Sequence, residues 1–337
     1  MTNSGNLKRR LRQSGYSDSA ILAAWPSWWS EEAEGSISGR IELRFSLARK
    51  LGLDPRVLLE RDEPIFVWED EAKFKHLGSE SEAERAALSS FGISVGRMVS
   101  TATKPTELSL SISAKEFRTA ILSNKEFVGL QDLLGICWSH GIPVIHLRVF
   151  PLTAKRMCAM SVRIGDRFAI LLGKDSNYPA PISFYLAHEL GHIALGHLQN
   201  GSAVVDLADP LEATCEDDEE ERAADRYALE LLTGIEEPKI DTDTERFTAK
   251  QLAANLLKTG RDIHIEPGVL ALCFGYTTGN WAKANLAMKD IYVNKFPAWQ
   301  SVNGVARSQL DWEMVPDDLM GFLRAVIGEP QDDDDGH

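Results

Sequence analysis

The segment FYLAHELGHIALGH, Phe184 to His197, sets three histidines and one glutamate into an otherwise apolar run. Such a run predicts a buried helix, and buried ionisable groups need partners or a metal. His188 and His192 are spaced i, i+4, so on a helix both imidazoles leave one face about a turn apart and can reach a single ion. Glu189, roughly 100° round the helix from His188, stands beside that ion rather than on it. This is the HExxH pattern, in which two histidines hold Zn2+ and the carboxylate acts as general base toward water whose pKa the metal lowers to about 7. The bland reading of the same residues is a core helix whose histidines only hydrogen-bond.

A catalytic zinc site has three protein ligands and one open position. His197 is nine positions after His188, on the opposite face of a continuous helix, and turns inward only if Gly196 ends the helix sharply. The spacing favours a histidine at the helix C-terminus, interacting with the dipole. A better third ligand lies in EEERAADRYALELL, a strong helix pattern from Glu219. Glu221 and Asp225 are again i, i+4. Glu221 can ligate, and Asp225 can accept a hydrogen bond from the outer N–H of a ligating histidine, fixing its tautomer. Glu220 is the neighbour that competes with Glu221, and a solvated acidic helix end is the alternative for the whole stretch.

The paired strings AHELGHIALGH and EEERAADRYALELL resemble the ImmA/IrrE metallopeptidases, relatives of the thermolysin-like zincins. That family has a HExxH helix and a later ExxxN or ExxxD helix followed by an aromatic residue and alanine, matched by Glu221, Asp225, Tyr227 and Ala228. The likeness covers roughly residues 130–232. Ala223 stands where many members have a second glutamate, which leaves Glu221 the carboxylate in register. The resemblance implies a zinc-dependent endopeptidase that cleaves a partner Xre-type helix-turn-helix repressor and so relieves repression of stress, mobile-element or phage-defence genes. Two other functions compete with it: a DNA-binding or antirepressor protein with a structural metal, and a zinc hydrolase acting on a small amide. Cys158, in KRMCAM, is a possible inhibitory zinc ligand, since a thiolate can fill an open coordination position; a small residue packed in a strand is the plainer reading.

The rest of the chain predicts an α+β fold, mainly helical, with a small sheet packed on the HExxH helix. Residues 1–62 read as helical, and LARKLGLDPRVLLE resembles the final helices of Xre-type domains. Residues 63–112 read as a linker and an amphipathic helix, 113–238 as the metallopeptidase domain, and 239–328 as a helical region suited to regulation or substrate binding. Residues 329–337, EPQDDDDGH, read as a disordered acidic tail. PVIHLRVF and CAMSVRIGDRFAILLG predict strands, the second a hairpin turning at Gly165-Asp166. One hairpin strand is expected to form the cleft edge on which an extended substrate pairs. Gln199 to Glu219 reads as a loop.

Charge narrows the partners. A net charge of −14 argues against binding nucleic acid or anionic membranes over a broad surface. Four dispersed cysteines form no CxxC pair, and no apolar run approaches the roughly 20 residues of a membrane span. The expected setting is a reducing cytoplasm.

Overall fold

Alternation along one strand decides what faces the histidine helix. In a computed structural model the described residues are 3–68, 72–75, 81–106, 113–153, 157–198, 203–207, 218–240 and 247–329. Five helices come first: α1 (Asn3–Gln13), α2 (Asp18–Ala24), α3 (Glu31–Gly35), α4 (Ile37–Leu51) and α5 (Pro55–Arg61). Strand β1 (Ala72–Lys75) precedes the long helix α6 (Glu82–Thr101). Helices α7 (Ala114–Leu122) and α8 (Leu130–Ser139) lead to strands β2 (Val144–His146), β3 (Ala159–Ile164) and β4 (Arg167–Leu172). Helix α9 (Pro179–Ala194) carries the histidines, β5 (Ala203–Asp206) follows it, and α10 (Glu219–Thr233) carries Glu221. Then come α11 (Ala249–Ile263), α12 (Pro267–Thr278), α13 (Trp281–Ile291), α14 (Ala298–Gln309) and α15 (Asp317–Val326). The fold is α+β and mainly helical.

The five strands form one mixed sheet in the order β1-β5-β3-β4-β2. β3 is antiparallel to β4 and β5, while β1 lies parallel to β5 and β2 parallel to β4. α6 packs on one face of β3 and β4 and α9 on the other. Side chains alternate between these faces. Met160 and Val162 reach the α6 side, against Gly92 and Gly96. Ser161 reaches the α9 side, where its hydroxyl donates to Glu189. Residues opposite one another in a ladder share a face, so the row Ala159, Asp206, Lys75 also faces α9, as does the row Ser161, Val204, Lys73.

Three expectations change. The segment read as a linker contains β1, and the segment read as the loop Gln199 to Glu219 contains β5. Because these strands lie outside β3, and β2 lies outside β4, neither arm of the hairpin is an edge: β3 and β4 are both interior. The edges are β1 and β2. The β2 edge is closed by Asn303 of α14, whose Oδ1 accepts from His146 N–H at 2.7 Å and whose Nδ2 donates to the His146 carbonyl at 2.7 Å, as a neighbouring strand would.

One hydrophobic cluster takes in the first helices (Leu7, Leu11, Leu47, Leu51), the sheet (Val144, Val162, Ile170) and the last helix (Phe322, Leu323). Among the described residues no helix is long and apolar enough to cross a membrane. The tail beyond 329 and Cys215 lie outside the described residues; Cys137, Cys158 and Cys273 are buried and in no disulfide among the described residues.

Candidate metal centre

Proline at the first helical position starts α9, where a missing N–H costs nothing. From there the helix runs under the sheet, and His188, Glu189 and His192 are all fully buried. α10 crosses it closely because Gly191 has no side chain: a Cβ there would lie 3.2 Å from the Ala224 Cα. The N-cap Asp218 accepts from the Glu220 and Glu221 N–H groups and fixes the first turn of α10, which aims Glu221 at the two histidines.

Four buried side chains converge: His188, His192, Glu221 and Asp206, with one ligand atom of each within 4.8 Å of all the others. His188 Nε2 lies 3.3 Å from Asp206 Oδ2 and 3.3 Å from Glu221 Oε2. His192 Nε2 lies 3.4 Å from Glu221 Oε1 and 3.1 Å from His188 Nε2. Nitrogen and oxygen donors about 2.0–2.2 Å from a tetrahedral ion lie roughly 3.4 Å from one another. The spacing is that of a ligand set. Neither Asp206 oxygen has a hydrogen-bond partner among the described residues, although the side chain is fully buried. Asp206 and Glu221 both lean on the one His188 ring at 3.3 Å, and buried carboxylates that share a single ring are under-compensated at a cost on the order of several kcal/mol, so the cluster fits a cation that supplies the missing charge. It can hold a metal ion.

Each histidine is steered from behind. His188 Nδ1 lies 2.9 Å from Asp225 Oδ1, which leaves Nε2 for the cluster. His192 Nδ1 lies 2.8 Å from His197 Nδ1, one ring donating and the other accepting. His197 gets there because Gly196 takes φ 76°, so the chain reverses. The His197 N–H then donates to the His192 carbonyl and the Gly196 N–H to that of Ile193, a Schellman ending. The helix does end sharply, yet His197 lies behind His192 and not in the donor group, at the helix C-terminus where the spacing favours it.

Glu189 lies beside the donors. One carboxylate oxygen accepts from the Ser161 hydroxyl, and Oε1 has no hydrogen-bond partner among the described residues. Burial, and then the Asp206 carboxylate, push the Glu189 carboxyl well above the usual carboxylate range. Burial opposes a charge on His188, but Asp206, Asp225 and Glu221 outweigh it and hold its pKa well above the ordinary value. Burial, then the positive charge of His188, drives His192 well below it.

The structure thus brings together His188, His192 and Glu221, with Glu189 and Asp225 beside them. Glu220 points away: it pairs with Lys73 and Lys75 at 3.1 and 3.0 Å. Cys158 is outside the donor group. It precedes β3, buried, and its backbone N–H donates to the Asp206 carbonyl at 2.7 Å. Sequence reasoning missed Asp206, Ser161 and Lys75. AVVD carries a short β-branched strand signal, but it sits in a segment that grows acidic and four residues are too few to stand out.

No protein-family model, curated protein or solved structure matches the chain.

Proposed function

We propose that the centre holds Zn2+ and that the chain is a zinc-dependent endopeptidase with a zincin-like core, similar in its two site helices to the ImmA/IrrE metallopeptidases. The observation that carries this reading is Glu189: a carboxylate between the two converging histidines, near enough to His188 and Asp206 to feel their charges, with Oε1 buried and without a hydrogen-bond partner among the described residues. A purely structural site has no use for it. His188, His192 and Glu221 would hold the ion. When bound, zinc supplies a Lewis acid for the scissile carbonyl and makes water a nucleophile near neutral pH.

The protein residues divide the remaining work. Ser161 fixes one Glu189 oxygen, so the other faces the reacting groups, takes the proton from water and passes it to the leaving amine. Asp225 and His197 keep the imidazole rings from turning. The substrate proposed from the resemblance is an Xre-type helix-turn-helix repressor. An extended substrate segment has no pairing edge on β3 or β4, and Asn303 fills that of β2, so the β1 side is where it would add to the sheet.

A second reading has an observation of its own. Asp206 raises the protein donors to four, the number typical of a structural zinc, which favours a non-proteolytic regulator with a structural metal. Incubation with a small Xre-type helix-turn-helix protein, followed by mass spectrometry, separates the two. Cleavage by the native chain and a loss of about 10²–10⁴-fold in Glu189→Gln, with zinc content unchanged, are expected of a general base. Undiminished cleavage by Glu189→Gln removes the role given to Glu189.

A further inference from the structure

We propose that Asp206 is a fourth protein ligand and that it keeps the centre closed, so that the folded chain is a latent enzyme which opens when β5 withdraws. The coordination stands on the geometry alone; the latency rests on the peptidase reading.

Asp206 is built into the site by the sheet. Antiparallel pairing places Asp206 opposite Ala159 and Val204 opposite Ser161, and Ser161 contacts Glu189 on the α9 side. Asp206 must therefore face α9 as well, and a slip of one residue would send it to the α6 side. The small Ala159 across from it leaves room. There Asp206 is fully buried, its Oδ2 stands 3.3 Å from His188 Nε2, and neither oxygen finds a hydrogen-bond donor among the described residues. A buried carboxylate whose close partner is a ligating ring, and which stands at the spacing of a ligand, becomes a ligand once the cation is present.

Four protein donors complete a tetrahedral shell, whereas a catalytic zinc keeps one position for solvent. The same pocket nonetheless holds Glu189, whose free oxygen serves only a centre that water can enter. Both facts hold together if the closed shell is a resting state. Opening it means moving Asp206, and β5 is a four-residue strand held on its outer side by β1. β1 is in turn fastened to α10: Lys75 Nζ lies 2.9 Å from Asp218, 3.0 Å from Glu220 and 3.5 Å from Glu221, and Lys73 Nζ lies 3.1 Å from Glu220. Displacing β1 frees the outer side of the strand that carries Asp206, leaving it held by β3 alone, and removes the clamp on the helix that carries Glu221.

The test uses full-length protein loaded with Co2+ as a spectroscopic probe of the ligand shell, titrated with azide. In the native chain the visible spectrum should not respond, because no position is open; in Asp206→Ala it should shift as azide enters. Zinc-loaded Asp206→Ala should also cleave peptide at least about tenfold faster, the change that losing about 1.4 kcal/mol of closure produces. Asp206→Asn keeps the side-chain shape while removing the charge, and serves if the alanine variant does not fold by circular dichroism. An azide response in the native chain equal to that of the variants overturns the proposal, whatever the variants do. If the spectra behave as expected and no form cleaves any peptide, the fourth ligand stands and the peptidase reading falls.

Discussion

At the scale of single residues, the site is a set of charges that compensate one another only when an ion is present. His188 shows this best. Its inner nitrogen has two carboxylates at 3.3 Å and its outer nitrogen a third at 2.9 Å. Removing the outer one should leave the donors intact but free the ring to rotate. Asp225→Asn is therefore expected to lower metal affinity by about 10–100-fold, measured by competition with a chromogenic chelator, with secondary structure unchanged. An unaltered affinity would mean that helix packing alone orients His188. The i, i+4 spacing of His188 with His192, and of Glu221 with Asp225, was readable in the chain because helical geometry is local. The partner of His192 was not, because it depends on how one glycine reverses the backbone.

At the scale of elements, the centre depends on how strands and helices are fastened together. Lys75 is the main fastener between β1 and α10. Burial opposes its charge, but hydrogen bonds to Asp218 and Glu220 and the nearby Glu221 win and raise its pKa. For Asp218 and Glu220 burial acts upward, and the bond to Lys75 outweighs it and lowers both. Depressed carboxylates stabilise the fold above their ordinary pKa values, about 4, and lose that contribution as the pH falls through the lower folded values. Lys75→Met should then cost about 1–2 kcal/mol near neutrality, between the values for exposed and buried ion pairs. The gap between the two proteins should narrow below about pH 4. Urea unfolding of chelator-treated protein across pH checks this without metal release contributing, and a gap that stays constant into acid would assign the loss to packing of the lysine stem. β1 and β5 were hard to read in the chain for a common reason. Each has four residues, and their strand character comes from the neighbours they pair with.

At the scale of the whole molecule, the first helices, the sheet and the last helices share one core. α4 packs on α6, and α15 reaches back to α2 and α4. Residues Leu7 to Leu58 therefore support the layer that holds α9 in place. The chain should unfold thermally in one transition seen alike by circular dichroism and tryptophan fluorescence, with added zinc raising its midpoint if it binds the folded form alone. Two transitions, one of them insensitive to zinc, would show that the N-terminal helices fold by themselves.

What the chain determines by itself is short in range: helices with their caps, the hairpin at Gly165-Asp166, two histidines on one face, and a carboxylate pair on another helix. These follow from residue spacing and from side chains that act within a turn or two of their own backbone. Tertiary structure decided the rest. It set Asp206 among the donors, turned His197 behind His192, buried both hairpin strands inside the sheet and brought Lys75 to α10 from well over a hundred residues away. Those outcomes depend on strand order, register and the close crossing at Gly191, and such relations arise only when distant segments compete for the same buried surface.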